Sequence, residues 1–277
     1  MKNGWILILL LLGCLVPTPV AQENEQPRHG LQAIIFESYL TPLPVEEYDV
    51  IGLPSIEFPL KFSRLLAPFH KPASIQLPPG VVLPREPMFL DIYMFAVSGE
   101  QIQKNKRQSR HNPIQRIDYK IKFLSWSEDS YQVELDGRCG DTRFKEIPVK
   151  AAADKTTVVR IRQSESRVLY FALTPVEPEI KYPKDVTLPK PVTWPMPVYP
   201  SELLKTKWTG KVRIRAVVNK DGKIDPESFL LLECPHHLFA RSSLDAILNQ
   251  WTFQPAARNG VPLDLDGDIE VTFMIRR

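Results

Sequence analysis

The sequence predicts a mainly β protein in two parts. These are an antiparallel, sandwich-like amino-terminal domain and an α+β carboxy-terminal domain, in which one helix packs on an antiparallel sheet. Three observations predict this. Apolar and polar residues alternate with period two over several short runs, the pattern of half-buried strands. One amphipathic helical stretch stands between two such runs near the end of the chain. The 277 residues contain 27 prolines against 12 glycines, which leaves little room for other long helices. Hydrophobic residues make up 43% and charged residues 24%, a globular composition. The 35 basic and 32 acidic side chains nearly cancel to +3, so the basic excess of a dedicated nucleic-acid binder is missing.

Residues 1–21 read as an export signal: Lys2, an apolar run from Trp5 to Val16, then Pro17 and the small Ala21. The run is short for a membrane span of about 20 residues and is broken by Pro17. Leu11-Leu12-Gly13-Cys14 resembles the lipobox of bacterial lipoproteins, which makes Cys14 a candidate lipidation site. Cleavage after Ala21 and retention as an uncleaved anchor are the alternatives, and each places the body of the chain outside the cytoplasm.

Over 31–173 the chain reads as a proline-spaced extended segment followed by a β-rich domain. From Leu31 to Pro87, ten prolines punctuate short apolar clusters such as Ile34-Ile35-Phe36, which predicts extended segments and at most edge strands. Ile117, Tyr119, Ile121 and Phe123 then alternate with Asp118, Lys120 and Lys122, and Tyr131, Val133 and Leu135 with Gln132 and Glu134. Further strands are expected at Phe89–Val97, Phe144–Val149, Thr156–Arg162 and Arg167–Leu173, a set that suits a small sandwich or open barrel. Residues 174–198 hold seven prolines with no periodic pattern and read as a semi-rigid linker. Cys139 and Cys234, the two cysteines beyond the leader, are candidates either for a disulfide between the domains or for two small buried side chains.

Residues 199–277 form the carboxy-terminal domain. Val212, Ile214, Ala216 and Val218 predict a strand, Asp221-Gly222 a turn, and 223–232 a return strand. Pro235 is placed to open a helix on which Phe239, Leu244, Ile247, Leu248 and Trp251 share one face. A short strand at 251–256, the Asn259-Gly260 turn and a last strand at 269–275 follow.

These elements resemble the TonB carboxy-terminal domain family over about 195–277. The match lies in Pro197-Val198-Tyr199-Pro200, Gly210-Lys211-Val212, Asp221-Gly222, Trp251-Thr252-Phe253-Gln254-Pro255-Ala256, Asn259-Gly260-Val261-Pro262 and the closing strand. The resemblance implies a module in the periplasm, within the cell envelope of a Gram-negative-type bacterium, that receives a peptide segment of an outer-membrane receptor as an added strand. It implies a peptide-binding site at Tyr199, Pro200, Ile269, Glu270, Val271, Thr272, Phe273, Met274 and Ile275; Tyr199, Trp251, Phe253 and Pro255 are read first as residues that fix the fold. Family transducers engage an inner-membrane proton-driven motor through a full membrane helix, whereas here a short apolar run and a β-rich domain precede the linker. The alternative reading is therefore a structural envelope component that binds cell wall or self-associates.

Other chemistry is sparse. Cys234, His236 and His237 lack a second ligand cluster, so no metal is expected. The acidic run 264–270 fails the calcium-loop pattern and reads as a solvated hairpin loop. The basic run from Lys104 to His111 reads as a mobile surface loop, with contact to anionic lipid, glycan or cell wall as its functional reading. No phosphate loop, nucleophile elbow or acid/base pair is present, so the chain is read as a non-enzyme without cofactor.

Overall fold

A computed structural model describes residues 28–38, 47–53, 59, 62–63 and 89–275. The leader, Cys14 and most of the proline-spaced segment lie outside those residues. Mostly antiparallel sheets make up the rest, grouped into two compact units. Among the described residues the first holds 28–38, 47–53, 59 and 89–178, and the second 62–63 and 179–275.

The first unit runs β1 (Arg28–Ser38), β2 (Tyr48–Gly52), β3 (Asp91–Ser98), α1 (Gly99–Gln103), β4 (Arg107–Asn112), β5 (Ile117–Trp126), β6 (Ser130–Cys139), β7 (Thr142–Ala152), β8 (Thr157–Arg162) and β9 (Val168–Val176). A five-stranded sheet ordered β2-β8-β9-β1-β3 and a four-stranded sheet ordered β4-β5-β6-β7 share one core. Leu31, Ile35, Phe95 and Phe171 come from the first sheet, and Tyr119, Phe123, Tyr131 and Val133 from the second. This is the sandwich that the period-two runs predict.

Two expectations are corrected. β1 is no edge strand: it lies between β9 and β3, and Leu31 to Phe36 are all buried. The prolines begin only at Pro42, so nothing in 28–38 prevents pairing on both sides. The basic run is no free loop either, because Arg107 to Asn112 pair with β5 from Lys122 to Ile117. Two of its side chains, and that of Asn112 just after it, turn inward: Gln108 donates to the Ala96 carbonyl, Arg110 to Asp91, and Asn112 to Asp91 and the Leu90 carbonyl. The fully buried Asp91 carboxylate takes both Arg110 nitrogens at 3.0 and 3.1 Å, with Asn112 at 2.9 Å and the Tyr119 hydroxyl at 3.1 Å. Burial raises its pKa against the pull of Arg110.

The second unit contains β10 (Val186–Thr187), β11 (Lys190–Thr193), a 3-10 turn (Ser201–Leu203), β12 (Gly210–Val218), β13 (Leu230–Glu233), α2 (His237–Asn249), β14 (Thr252–Gln254), β15 (Ala256–Arg258), β16 (Val261–Leu263) and β17 (Leu265–Phe273). Its main sheet is ordered β13-β12-β17. The buried row Val212, Ile214, Ala216, Ile269, Val271 and Phe273 shares the core with Phe239, Ala240, Leu244 and Ile247 of α2. Phe239 stacks on Phe273 at 4.6 Å, so the helix seats on this face.

Here too the details depart from expectation. The return strand is confined to 230–233, joined upstream only by an isolated Val218–Ile224 bridge. Asp225-Pro226 turns the chain, and the Ser228 hydroxyl takes the Val217 N–H that a continuous strand would have bonded. Part of the stretch 174–198 expected as linker is paired: Val186 and Thr187 lie against Arg258 and Ala257, and Lys190 and Pro191 against Gln254 and Phe253. An extended, proline-bearing segment is suited to such edge positions. Asn259 at φ 51 and Gly260 at φ 79 make the tight turn from β15 to β16. Cys139 and Cys234 are free thiols and not a disulfide. Each is buried and donates a hydrogen bond, Cys139 to Glu37 at 3.6 Å and Cys234 to the His236 carbonyl at 3.1 Å.

Candidate peptide-binding edge

β17 is built by two alternating rows. Ile269, Val271 and Phe273 are buried on the α2 side, whereas Asp268, Glu270 and Thr272 face outward. β12 carries the matching set, with Val212, Ile214 and Ala216 inward and Lys211, Arg213 and Arg215 outward. Register places Arg215 opposite Asp268, Arg213 opposite Glu270 and Lys211 opposite Thr272. The Arg215 fork grips Asp268 at 2.7 and 3.1 Å, and Lys211 meets Glu270 at 3.0 Å. The acidic run is thus the outer row of a strand, and no hairpin loop forms over 265–270. Its anions answer cations about fifty residues earlier in the chain, a partnership that only the register reveals. Tyr182 lies close enough to this row that burial, together with Asp268 and Asp266, pushes its phenol pKa up to about 12.

The strand ends at Phe273, so Met274 and Ile275 of the expected edge lie just past it, half-buried. β12 pairs with β17 along its whole length, from Leu265 to Phe273. Among the described residues no strand pairs with the opposite edge of β17. A free edge is a row of main-chain donors and acceptors to which an extended chain can add. The far edge of the sheet differs, because the Leu231 N–H of β13 donates to the Ser63 hydroxyl at 3.0 Å, and Phe62 and Ser63 are fully buried. No pattern in the sequence points to Ser63.

Tyr199 is a buttress for the end of this strand. It is 3% exposed, and its hydroxyl donates to the Trp208 carbonyl at 2.7 Å and the Leu203 carbonyl at 3.3 Å. Its ring meets Phe239 and Phe273 edge-on at 5.7 and 6.2 Å. Pro200, half-buried, precedes the 3-10 turn. Gly210, opposite Phe273, permits the close approach, since a Cβ there would fall 2.8 Å from the Phe239 ring and from Pro235. The structure therefore gathers Tyr199, Pro200 and Phe273 at one end of the sheet, with Tyr199 turned into the core.

At the head of α2, the His236 Nδ1 accepts the Leu238 N–H at 3.2 Å and caps the helix. Burial, with the charge of the stacked His237, lowers its pKa to about 4. No cluster of three or more metal-ligating groups occurs among the described residues.

An antiparallel sheet with a helix on one face and one free edge defines this unit as an α+β module. Residues 195–275, from just after β11 to just beyond β17, match the family Gram-negative bacterial TonB protein C-terminal. No curated protein matches the chain. No helix among the described residues is long and apolar enough to cross a membrane.

Proposed function

We propose that this chain is a periplasmic protein-interaction component of the cell envelope, acting by binding and not by catalysis. Its TonB-type domain takes up an extended peptide segment of an envelope or outer-membrane transport protein as a strand added to β17, in energy-coupled transport. In that role its further partner is a proton-driven complex of the inner membrane. The outer edge of β17, free of any strand among the described residues while its other side pairs with β12 along its length, supports this reading. Main-chain pairing supplies the affinity, and the side chains flanking the edge, Glu270 and Thr272 outward, set the preference.

Hydrogen exchange tests it. The full chain is incubated with synthetic peptides that tile the periplasm-facing segments of outer-membrane receptors, and amide protection is mapped. Binding with new protection over 265–273 is expected. Charge changes at Glu270 or Thr272 should then alter affinity with little loss of fold, whereas Val271→Pro, which removes a strand donor, should disturb the sheet itself. Peptide binding that leaves β17 amides unprotected, or indifference to every outward change on the strand, refutes strand addition.

A further inference from the structure

The exposed face of the four-stranded sheet carries a charge pattern that the peptide-binding role does not use. Alternation in β4 to β7 turns Ile117, Tyr119, Leu135 and Val149 into the core and leaves the other row in solvent. That outer row holds seven cations, Arg107, Lys120, Lys122, Arg138, Arg143, Lys145 and Lys150, with at least one on each strand. It holds four anions, Asp118, Glu134, Asp136 and Glu146, the last paired with Lys145 at 3.5 Å. The excess of three equals the net charge of the whole chain, +3, gathered on one face.

Two placements run against stability. Arg138 stands directly opposite Arg143, and Arg107 directly opposite Lys122. Like charges facing across a ladder destabilise a sheet. Glu134 is shared by Arg107 at 3.7 Å and Lys122 at 3.5 Å, and Asp118 by His111 and Arg138. Lys120, Arg143 and Lys150, all exposed, make no ion pair with any of the described residues. Lys120 also lines a shallow depression of about 410 Å³, together with Ser109, Asp136 and Arg138.

We propose that this face docks on an anionic phospholipid surface. Its shape selects that partner. Four strands at about 4.8 Å spacing give a face roughly 15 Å across, with charges spread in two dimensions. A linear polyanion needs a track of cations and aromatic platforms to stack on. Here the outer row spreads its charges over four strands and contains no Phe, Tyr or Trp, and its single imidazole, His111, is held by Asp118. A negatively charged membrane surface can be met by cations spread over a broad face, and each basic residue held near it strengthens partitioning roughly fivefold.

Vesicle co-sedimentation of the full chain tests this, with phosphatidylcholine alone and with equal parts phosphatidylcholine and phosphatidylglycerol, at about 50 mM and about 500 mM NaCl. Binding to the anionic vesicles, absent from the neutral ones and lost at high salt, is expected. Combining Lys120→Gln, Arg143→Gln and Lys150→Gln should weaken it about a hundredfold. The same charge loss in the second unit, Lys184→Gln with Lys205→Gln and Lys223→Gln, should weaken it far less. Ser109→Glu, which places an acid in the exposed row without removing any contact between charges, should also weaken it. Equal losses in the two triple variants, or binding unaffected by salt, overturns the proposal. So does binding to heparin without binding to anionic vesicles, which would make the ligand a polysaccharide.

Discussion

Acidification should loosen the second unit through a single imidazole. His236 is 8% exposed and caps α2 only while Nδ1 is free to accept the Leu238 N–H. Its pKa falls from the ordinary 6.5 to about 4 on folding. Because the folded value lies below the unfolded one, the unfolded chain binds the proton first. The contribution is therefore complete above pH 6.5 and is lost as the pH drops towards 4. Each unit of separation corresponds to about 1.4 kcal/mol, so a gap of 2.5 (6.5 − 4) corresponds to roughly 3 kcal/mol. For a unit of this size that is on the order of 10–20 °C in melting temperature. The assay is thermal unfolding of the wild type and His236→Asn between about pH 7.5 and pH 4, followed by near-ultraviolet circular dichroism. Trp208, whose ring lies 5.9 Å from His236, reports locally. Asparagine keeps a capping oxygen but does not titrate, and subtracting the two curves cancels the carboxylates common to both. The variant should lose markedly less stability than the wild type on acidification. Parallel curves would refute the reasoning, because His236 would then not resist protonation in the fold.

Ser243 of α2 is fully buried with no partner for its hydroxyl among the described residues, so Ser243→Ala should raise stability by about 1 kcal/mol, visible as a higher denaturation midpoint. Gly222 has φ +73, and a Cβ there would lie 1.9 Å from the Phe253 carbonyl oxygen. Gly222→Ala should therefore cost at least ~2 kcal/mol in the same measurement. Arg110→Met should destabilise the first unit by roughly 3–5 kcal/mol at neutral pH by stripping the bidentate partner from the buried Asp91. Because burial already raises the Asp91 pKa, that deficit should shrink on acidification as the carboxyl becomes protonated.

The strands readable from the sequence are those with one wet face. Residues 117–123 and 131–135 alternate because their two sides meet core and water, and they are strands β5 and β6. β1 is buried on both sides over 31–36, apolar there except for Gln32, so it shows no period, and the prolines that follow it make a central strand read as an extended layer. β10 and β11 pair through the main chain, for which side-chain patterns carry no signal. At the candidate edge, alternation over 269–273 identified the strand and its buried side. Its charged side looked like a loop, since Asp266 and Asp268 lie one residue either side of Gly267 and their cationic partners belong to a distant segment. The cap at Ser63 had no local signature, since a lone hydroxyl becomes informative only when the fold brings Leu231 to it.

The pairing of β10 and β11 changes where this molecule can be cut. A fragment begun at Tyr199 would lose the strands that cover β14 and β15, leaving the main chain of 252–258 open on that side. It would also lose the Pro195 carbonyl that accepts the Trp251 indole N–H at 2.9 Å, and the Val198 carbonyl bonded by the Ser242 hydroxyl. Such a fragment would present a second adhesive margin and invite association unrelated to any at β17. Begun at Glu179, the fragment keeps both short strands over 252–258 but still loses Ser63, the acceptor of the Leu231 N–H on β13, so the candidate margin along β17 is best studied in the full chain.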